Sequence, residues 1–410
     1  MTPPPDLERH LDLDRVVRAV RAVIGDRSDP VPLHEPTILG DAWVYVKDCL
    51  DTGWVSSAGE YVVRFEEELA AFTGASHAVA VVNGTAALHT ALELVGVGPG
   101  DEVLMPSLTF VATANAVAQC GGVPHFVDVE DRSLGLDPAA LERRLEETAE
   151  RTSDGCFNHE TGRRIAAVVV MHTFGHPADL LHLRQVTEQY EIPLIEDAAE
   201  SLGSLHGKRH TGTFGRLGIL SFNGNKIIST GGGGAILTDD ADLAGSARHL
   251  TTTAKRPHPW EYFHDRVAYN YRMPNLNAAL GCAQMKNLPE LIQAKRGLAQ
   301  DYRDALAAVD GVSIFEEPAY ARSNYWLNAL ILDHGARAAR DGLLERLAEE
   351  GIQARPVWNP MHTLPMYKNC PRTLLPRTED LATRIVNLPS SAHLRLGQSL
   401  VDANRGMGSA

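Results

Sequence analysis

Two short stretches of the sequence carry residues that could do chemistry together. The first, residues 193–197, is an apolar run that ends in Glu196 and Asp197. The second, residues 221–226, ends in Lys226 and is soon followed by four consecutive glycines. A lysine can hold pyridoxal phosphate (PLP) as a Schiff base, and an aspartate can pair with the nitrogen of its pyridine ring. The two stretches therefore predict a PLP site with Lys226 and Asp197 as its catalytic residues.

Each of these residues also has an ordinary structural interpretation. Lys226 could be a solvated surface lysine, although no other charged residue occurs from Ser221 to Leu237. If the lysine is desolvated instead, its amine becomes a better nucleophile. Asp197 could cap a helix that begins at the next residue. Glu196 is a weaker candidate, because alternation along a strand points neighbouring side chains to opposite faces.

Two further motifs follow predicted strands. Asn83-Gly84-Thr85 leads into an alanine-rich helix. The amides of its first turn could bind a phosphate, or the motif could be an ordinary capped turn. Residues 106–110 end in Phe110, whose ring could stack on a planar cofactor, whereas phenylalanine more commonly lies in the core. Both choices stay open from these residues alone.

The composition is that of an ordinary globular protein, with 44% hydrophobic and 22% charged residues in a chain of 410. The net charge of −14 gives no general affinity for nucleic acids, so no nucleic-acid partner is expected. Five scattered cysteines without CxxC spacing indicate reduced thiols. The chain shows no signal peptide and no long apolar segment, so we expect a cytoplasmic protein without membrane contact.

No metal or nucleotide cofactor is expected. The sequence contains no HExxH motif, and most histidines are interpreted as surface or substrate-contact groups. The histidines considered are His172, His176, His206, His210, His249, His258, His264 and His362. The run Gly231 to Gly234 matches neither a P-loop nor a dinucleotide-binding motif.

The order of predicted elements indicates an α/β fold in three parts. Residues 1–33 contain an N-terminal helix, for packing or dimer contact, and a linker. Short apolar strands alternate with helices in residues 34–285, as in a mostly parallel sheet flanked by helices, which binds ligands at the carboxyl ends of its strands. Residues 286–410 contain helices around a strand at residues 326–332, which indicates a smaller C-terminal α+β domain. The tail Gly406–Ala410 is expected to be disordered.

From about His34 to Pro389 the chain resembles the DegT/DnrJ/EryC1/StrS family of PLP-dependent sugar aminotransferases. The matching motifs are Gly53-Trp54-Val55-Ser56-Ser57, residues 83–88, 106–110, 196–200 and 221–226, and Tyr269-Asn270-Tyr271-Arg272-Met273. Residues 33–36, 221–226 and 249–255 are similar to the LegC-type subgroup, which aminates C4 of nucleotide-linked 4-keto-6-deoxy-2-acetamido sugars. The resemblance implies the PLP fold type I, which is aspartate aminotransferase-like, with residues 34–285 as the PLP-binding large domain.

The resemblance also implies how the cofactor is held. Lys226 would bind PLP and then move the proton between the substrate and the cofactor. Asp197 would pair with the pyridine nitrogen, and Phe110 would stack on the ring. The backbone at Gly84 and Thr85, with the hydroxyl of Ser221, would hold the phosphate.

Further residues are implied to bind the cofactor, in the case of Asn270, or the substrate. Asn270, and with it Arg272, would reach into the site of the neighbouring subunit, so the active unit would be a homodimer with shared active sites. Ser56, Arg355 and His362 are candidates for binding the nucleotide-sugar.

Position 200 differs from the wider family, in which His or Gln can contact the phenolic oxygen of the cofactor. An ionised carboxylate at this place would repel a phenolate. We therefore expect Glu200 to be protonated or turned away from the cofactor.

The implied reaction moves an amino group from L-glutamate to C4 of a UDP-linked 2-acetamido-4-keto-6-deoxyhexose. The product would be an amino sugar for a surface glycan, a nonulosonic acid or a secondary metabolite. The sequence does not fix the nucleotide or the choice between C4 and C3. Two alternatives are a sugar dehydratase, whose known relatives carry His in place of Lys226, and a catalytically silent regulator, which would be expected to lack Lys226 or Asp197.

Overall fold

The computed structural model describes residues 11–27 and 29–396. The helices are α1 (Leu13–Ile24), α2 (Ala42–Thr52), α3 (Glu60–Thr73), α4 (Gly84–Leu94), α5 (Val111–Gln119), α6 (Pro138–Thr148), α7 (Leu180–Gln189), α8 (Ala241–Thr251), α9 (Asn275–Leu306), α10 (Arg340–Glu349), α11 (Pro376–Arg384) and α12 (His393–Leu396). The tail Gly406–Ala410, predicted to be disordered, lies outside the described residues.

The strands complete the description of the elements. They are β1 (His77–Val81), β2 (Glu102–Pro106), β3 (Val123–Val127), β4 (Ala149–Thr152), β5 (Gly155–Asn158), β6 (Arg163–Met171), β7 (Leu194–Asp197), β8 (Leu205–His206), β9 (Arg209–His210), β10 (Leu217–Ser221), β11 (Gly234–Thr238), β12 (Val312–Ile314), β13 (Ala321–Arg322), β14 (Asn328–Leu332), β15 (Arg355–Pro356) and β16 (Ile385–Leu388). Short 3₁₀ helices lie at Thr173–Gly175, His334–Ala339 and Met361–Thr363.

A large mixed sheet forms the centre of the fold. Its strands lie in the order β1-β11-β10-β7-β6-β2-β3, and the five from β10 to β3 run parallel to one another. Strand β6 is apolar from Ile165 onwards because hydrophobic clusters cover it on both faces. The α/β fold predicted from the sequence is confirmed.

Two parts of this sheet differ from simple alternation of strands and helices. Strand β11 runs antiparallel to both β10 and β1, because residues 222–233 join β10 to β11 as a loop without a crossover helix. A hairpin of β4 and β5 joins the sheet beside the first residues of β6. The loop of residues 222–233 carries Lys226, so this lysine lies at the carboxyl end of β10.

The C-terminal part has its own sheet, which is antiparallel and ordered β12-β14-β16-β15. Helix α1 packs within this part, since Val16 and Val20 are buried in the same cluster as Tyr302 of α9 and Leu343 of α10. The N-terminal helix is thus a packing helix, which is one of the two roles predicted for it. Helix α9 continues through residue 285, so the predicted domain boundary lies inside a helix, and the division into domains stays a prediction.

Candidate active site

Asp197 and Lys226 come to the same edge of the central sheet. Asp197 is the last residue of β7, and its register partner on the neighbouring parallel strand β10 is Ile219. Lys226 lies in the loop that leaves β10 at this edge. Parallel strands bind ligands at their carboxyl ends, so the fold brings the two predicted catalytic residues to the place where a ligand would bind.

Asp197 is almost fully buried and has two hydrogen-bond partners. Its Oδ2 accepts from Thr113 Oγ1 at 2.8 Å, and its Oδ1 accepts from the amide of Ala199 at 3.2 Å. Burial raises the pKa of Asp197 above its ordinary value, against the two hydrogen bonds and the positive charge of Lys226. A cationic partner would relieve this cost, and the protonated nitrogen of a pyridine ring is such a partner.

Lys226 is only 9% exposed, so the interpretation as a solvated surface lysine is wrong. Its Nζ lies 3.3 Å from Glu200 Oε1 and 4.0 Å from the centroid of the Trp326 indole ring. A carboxylate on one side and an aromatic face on another both attract an ammonium group. The amine is therefore held at a defined place beside the ligand edge of the sheet.

Glu200 is turned towards Lys226 and is also held by the backbone. Its Oε2 accepts from the amide of Phe174 at 3.0 Å, and Phe174 has the left-handed φ of 56°. Burial raises the pKa of Glu200 to about 7, although the charge of Lys226 opposes the change. A carboxyl group that takes up a proton near neutral pH fits the prediction that Glu200 is protonated or turned away from the cofactor.

The first turn of α4 has the features of a phosphate site. Asn83 caps the helix, since its Oδ1 accepts from the amide of Ala86 at 2.8 Å. The first amides of a helix have no partner inside the helix, and in α4 these belong to Gly84 and Thr85. A Cβ built on Gly84 would lie 3.0 Å from the Cβ and 3.3 Å from the hydroxyl oxygen of Ser221. The turn is thus both capped and able to present donors to an anion beside Ser221.

A second glycine makes this turn possible. A Cβ built on Gly234 would lie 2.5 Å from the carbonyl carbon of Asn83 and 2.7 Å from the amide nitrogen of Gly84. Gly234 pairs with Ser221 across β10 and β11. The close approach of three backbone segments therefore explains why the last residue of the glycine run must lack a side chain.

Phe110 is not a core residue. It is 46% exposed at the start of α5, and its ring lies 6.1 Å from that of Trp358. The exposed ring is available for stacking at the same end of the sheet, since it follows β2. The interpretation of Phe110 as a buried phenylalanine is wrong, and its role as a stacking residue stays a prediction.

The remaining site candidates have varied surroundings. Arg272 bonds inside the chain, to the carboxylate of Glu66 and to the carbonyl of Ala80. His362 Nδ1 lies 2.8 Å from the hydroxyl of Ser107, so this imidazole supports the segment that leads to Phe110. The other three side chains, those of Ser56, Asn270 and Arg355, are exposed. Their roles towards a substrate or a second subunit stay predictions.

Four of the histidines do not lie where the sequence analysis placed them. His172, His176, His206 and His210 are all buried, so the interpretation as surface groups is wrong for these four. His172 Nε2 lies 3.0 Å from Glu196 Oε2, on the side of the strand away from Asp197. Within the described residues, no group of His, Cys, Asp and Glu has a geometry suited to a metal ion.

Sequence reasoning missed two residues that contact the site. Trp326 was recognised only as the start of a predicted strand, and Thr113 was not singled out. The signal available for Thr113 is its place one turn after Phe110, on the helix that follows a strand ending at the ligand edge. For Trp326 the neighbouring sequence offers no such signal, because its contact with Lys226 spans 100 residues of chain.

Comparisons with known proteins agree with this geometry. Residues 37–401 match the model of the DegT/DnrJ/EryC1/StrS aminotransferase family. The chain is 37% identical to GDP-perosamine synthase of Vibrio cholerae over 88% of this chain and 94% of that protein. It is 39% identical to the putative PLP-dependent aminotransferase EpsN of Bacillus subtilis strain 168, over 88% and 91%. The crystal structure of the aminotransferase TlmJ from Streptoalloteichus hindustanus superposes with a TM-score of 0.81 at 30% identity, over 92% and 98%.

Proposed function

This chain belongs to the DegT/DnrJ/EryC1/StrS aminotransferase family and is a PLP-dependent enzyme of fold type I, and we propose that it aminates a nucleotide-linked keto sugar. The observation that supports the proposal most directly is the place of Lys226. Its amine is buried at the ligand edge of the sheet, between Glu200 and Trp326 and within electrostatic reach of Asp197. A catalytically silent relative would have no need to bury these charges together.

The residues of the site fit the parts of PLP. When bound, PLP supplies a ring that accepts the electrons released as a Cα–H bond of the amino-acid donor is broken. Asp197 would pair with the ring nitrogen, and the amides of Gly84 and Thr85 with the hydroxyl of Ser221 would hold the phosphate. Phe110 would lie against the ring face. Lys226 is the residue that would bind the cofactor aldehyde through its Nζ.

Proton movement falls to Lys226 and Glu200. The amine of Lys226 would take the proton from Cα of the donor and deliver it to the cofactor. Glu200 lies 3.3 Å from this amine, so it can stabilise the ammonium form while the proton is held. The buried surroundings keep bulk water from competing for the proton.

For the substrates we propose L-glutamate as donor and C4 of a UDP-linked 2-acetamido-4-keto-6-deoxyhexose as the acceptor position. The similarity of residues 33–36, 221–226 and 249–255 to the LegC-type subgroup supports this choice. A GDP-linked keto sugar is the second candidate, because the relative from Vibrio cholerae is a GDP-perosamine synthase. The amino sugar formed would serve a surface glycan, a nonulosonic acid or a secondary metabolite.

A homodimer with shared active sites is proposed as the active unit. Asn270 is exposed and lies just after a segment with several exposed apolar side chains, among them Trp260 and Val267. Exposed apolar patches of this kind favour a protein contact. No described helix has both the length and the hydropathy to cross a membrane. The five cysteines are free, which supports the proposed cytoplasmic location.

A substrate panel tests the function. The purified protein is incubated with PLP, glutamate and, in turn, UDP-, dTDP- and GDP-linked 4-keto and 3-keto sugars, and products are identified by mass spectrometry and NMR. We expect an amino group at C4 of the UDP sugar and no product with Lys226→Ala. Lys208→Ala, which removes an exposed lysine of the β8–β9 turn, serves as the control and should match the wild type.

Each other outcome identifies a competing function. Amination of the GDP sugar alone would replace the UDP proposal, and an amine at C3 would correct the regiochemistry. Loss of water from the sugar without nitrogen transfer would indicate a dehydratase. A protein that stays colourless with PLP and acts on no sugar would revive the silent regulator.

A further inference from the structure

Lys295 is a buried cation without an anionic partner among the described residues. It lies on α9, is 1% exposed, and its Nζ donates to the carbonyl of Trp326 at 3.0 Å and to His34 Nε2 at 2.9 Å. A third bond goes to the carbonyl of Ser390. These three acceptors match the three N–H groups of an ammonium. Burial lowers the pKa of Lys295 to about 7, so keeping this charge has a cost.

His34, from the N-terminal part of the chain, is the side-chain hydrogen-bond partner of Lys295. Residue 34 precedes the part of the sequence that matches the family model. Burial lowers the pKa of His34 well below its ordinary value, and the charges of Lys295 and Lys226 lower it further. The imidazole is therefore neutral and can accept a hydrogen bond from Lys295 through Nε2. Its ring centroid lies 6.4 Å from that of Trp326.

Trp326 is fixed on three sides. Its indole N–H donates to the carbonyl of Asn225, the residue before Lys226, at 2.6 Å. Its own amide donates to Asn324 Oδ1 at 2.8 Å, and Asn324 in turn donates to the carbonyl of Glu200 at 2.9 Å. Its carbonyl accepts from Lys295. Trp326 is thus linked to two segments near the Lys226 amine. Its indole bonds the residue before Lys226, and its backbone is joined through Asn324 to Glu200.

The backbone next to Trp326 is strained. Tyr325 has a φ of 49°, in the left-handed region that a tyrosine rarely adopts. Strain of this kind persists where the surrounding contacts fix a functional geometry. Here Asn324 and Lys295 hold the backbone of Trp326, and Asn225 holds its indole N–H, while the indole face lies towards Lys226.

We propose that Trp326 is a positioning residue for Lys226, and that buried Lys295, with half-buried His34 as its hydrogen-bond partner, holds Trp326 in that position. The proposal rests on the proposed function, because it concerns the amine that binds PLP. The indole face attracts the ammonium of Lys226, and it restricts the amine to the side of Glu200 while the lysine is not bonded to the cofactor. A methionine at position 295 would fill similar space without the cost of a buried charge. The presence of a lysine is therefore explained by the three hydrogen bonds that it donates.

Covalent attachment of PLP to Lys226 gives a test that needs no sugar. Cofactor-free protein is mixed with PLP, quenched with borohydride at set times, and the labelled Lys226 peptide is quantified by mass spectrometry. Trp326→Leu should slow attachment by about 10-fold, because the amine of Lys226 is then no longer oriented towards the ligand edge of the sheet. Trp326→Phe keeps an aromatic face and should recover most of the rate. The melting temperature of each variant is measured in parallel.

The second set of variants tests the support behind the ring. Lys295→Met should slow attachment in the same direction as Trp326→Leu, though less. His34→Gln keeps an acceptor for Lys295 and should match the wild type. Lys286→Met, which changes an exposed lysine on the same helix, is the control and should also match the wild type.

Two results would overturn the proposal. One is an unchanged attachment rate in either Trp326→Leu or Lys295→Met. The other is a loss in Trp326→Leu that Trp326→Phe does not recover. A melting temperature that falls while attachment stays normal would mean that the group has a structural role alone. Since the assay contains no sugar, a wrong substrate assignment would leave these results unaffected.

Discussion

Glu196 and Asp197 are neighbouring carboxylates at the end of one buried strand, and their surroundings differ. Glu196 accepts four hydrogen bonds: Oε1 from the amides of Phe214 and Gly215, and Oε2 from the amide of Gly212 and from His172. Burial would raise its pKa, but the bonds from His172 and the backbone amides outweigh burial, so the pKa of Glu196 is lowered. Its need for donors is met within the chain.

Among the residues that the structure describes, Asp197 accepts only two hydrogen bonds, and it keeps a raised pKa. An ionised carboxylate has about four lone-pair sites, so Asp197 has capacity left for a partner from outside the chain. Equal burial therefore does not distinguish a structural carboxylate from a functional one. The number of donors that the fold itself supplies does, and in this strand it separates two adjacent residues.

The largest expected effect is on stability, in Glu196→Gln. Whichever way the amide is turned, its NH₂ group faces two donors that Glu196 now satisfies. Breaking a buried charged pair costs about 3–5 kcal/mol, and we expect a loss of that order in the free energy of unfolding, measured by urea denaturation. The folded fraction should keep a near-normal kcat. A Glu196→Gln protein that is stable but inactive would contradict the conclusion that Glu196 has a structural role.

Asp197→Asn should have the opposite signature. The amide oxygen can accept from the amide of Ala199, and the NH₂ group can donate to the hydroxyl of Thr113, which can act as an acceptor, so we expect a normal or raised melting temperature. Without the negative charge the ring nitrogen of PLP loses its partner, and kcat should fall by about 100- to 1,000-fold, as for removal of a major electrostatic contact in an active site. Steady-state kinetics with the accepted sugar measure this, and a kcat within a few-fold of the wild type would refute the role.

Glu200→Gln extends the comparison to pH. The folded pKa of Glu200 is about 7 and its ordinary value is 4.5, so the folded protein binds this proton more tightly. Its contribution to stability is full below pH 4.5 and is lost as the pH rises through 7. Relative to wild type, cofactor-free Glu200→Gln should gain stability between pH 5 and 8, by up to about 3 kcal/mol. Melting temperatures are measured for the two proteins at each pH. If the melting temperatures of both change with pH in the same way across this range, the pKa of Glu200 is not raised.

The smallest effect is expected from Thr113→Val, which removes one of the two donors to Asp197. A hydrogen bond to a charged group contributes about 1.5–3 kcal/mol, and we expect PLP to bind roughly 10-fold more weakly, as measured by absorbance titration. Thr187→Val is the matched control, because Thr187 is also buried on a helix but bonds the carbonyl of Arg184 in its own helix. Equal PLP affinity in the two variants would mean that Thr113 does not support Asp197.

Much of the fold was predictable because its signals are local. Helix α4 begins at Gly84, where the motif Asn83-Gly84-Thr85 predicts the start of a helix, and β14 lies within the strand predicted at residues 326–332. The antiparallel direction of β11 and the early start of α9 at Asn275 were not predicted. Strand direction depends on how a connecting segment crosses the sheet, and the early part of α9 is stabilised by contacts with α2 and α3 rather than by a regular apolar pattern.

The sequence by itself indicated the family and the chemistry proposed for this protein: a lysine and an aspartate near the ends of apolar strands, a glycine-containing turn suited to a phosphate, and motifs that resemble one family. These features are readable because each is carried by a few consecutive residues. Only the tertiary structure decided which buried carboxylate keeps hydrogen-bonding capacity for a ligand. It also decided which aromatic ring contacts Lys226 and which buried lysine contacts the residue that carries this ring. The contact between Lys295 and His34 joins residues that are 261 positions apart, and both also contact Trp326. Contacts at such separation arise from packing rather than from any local pattern.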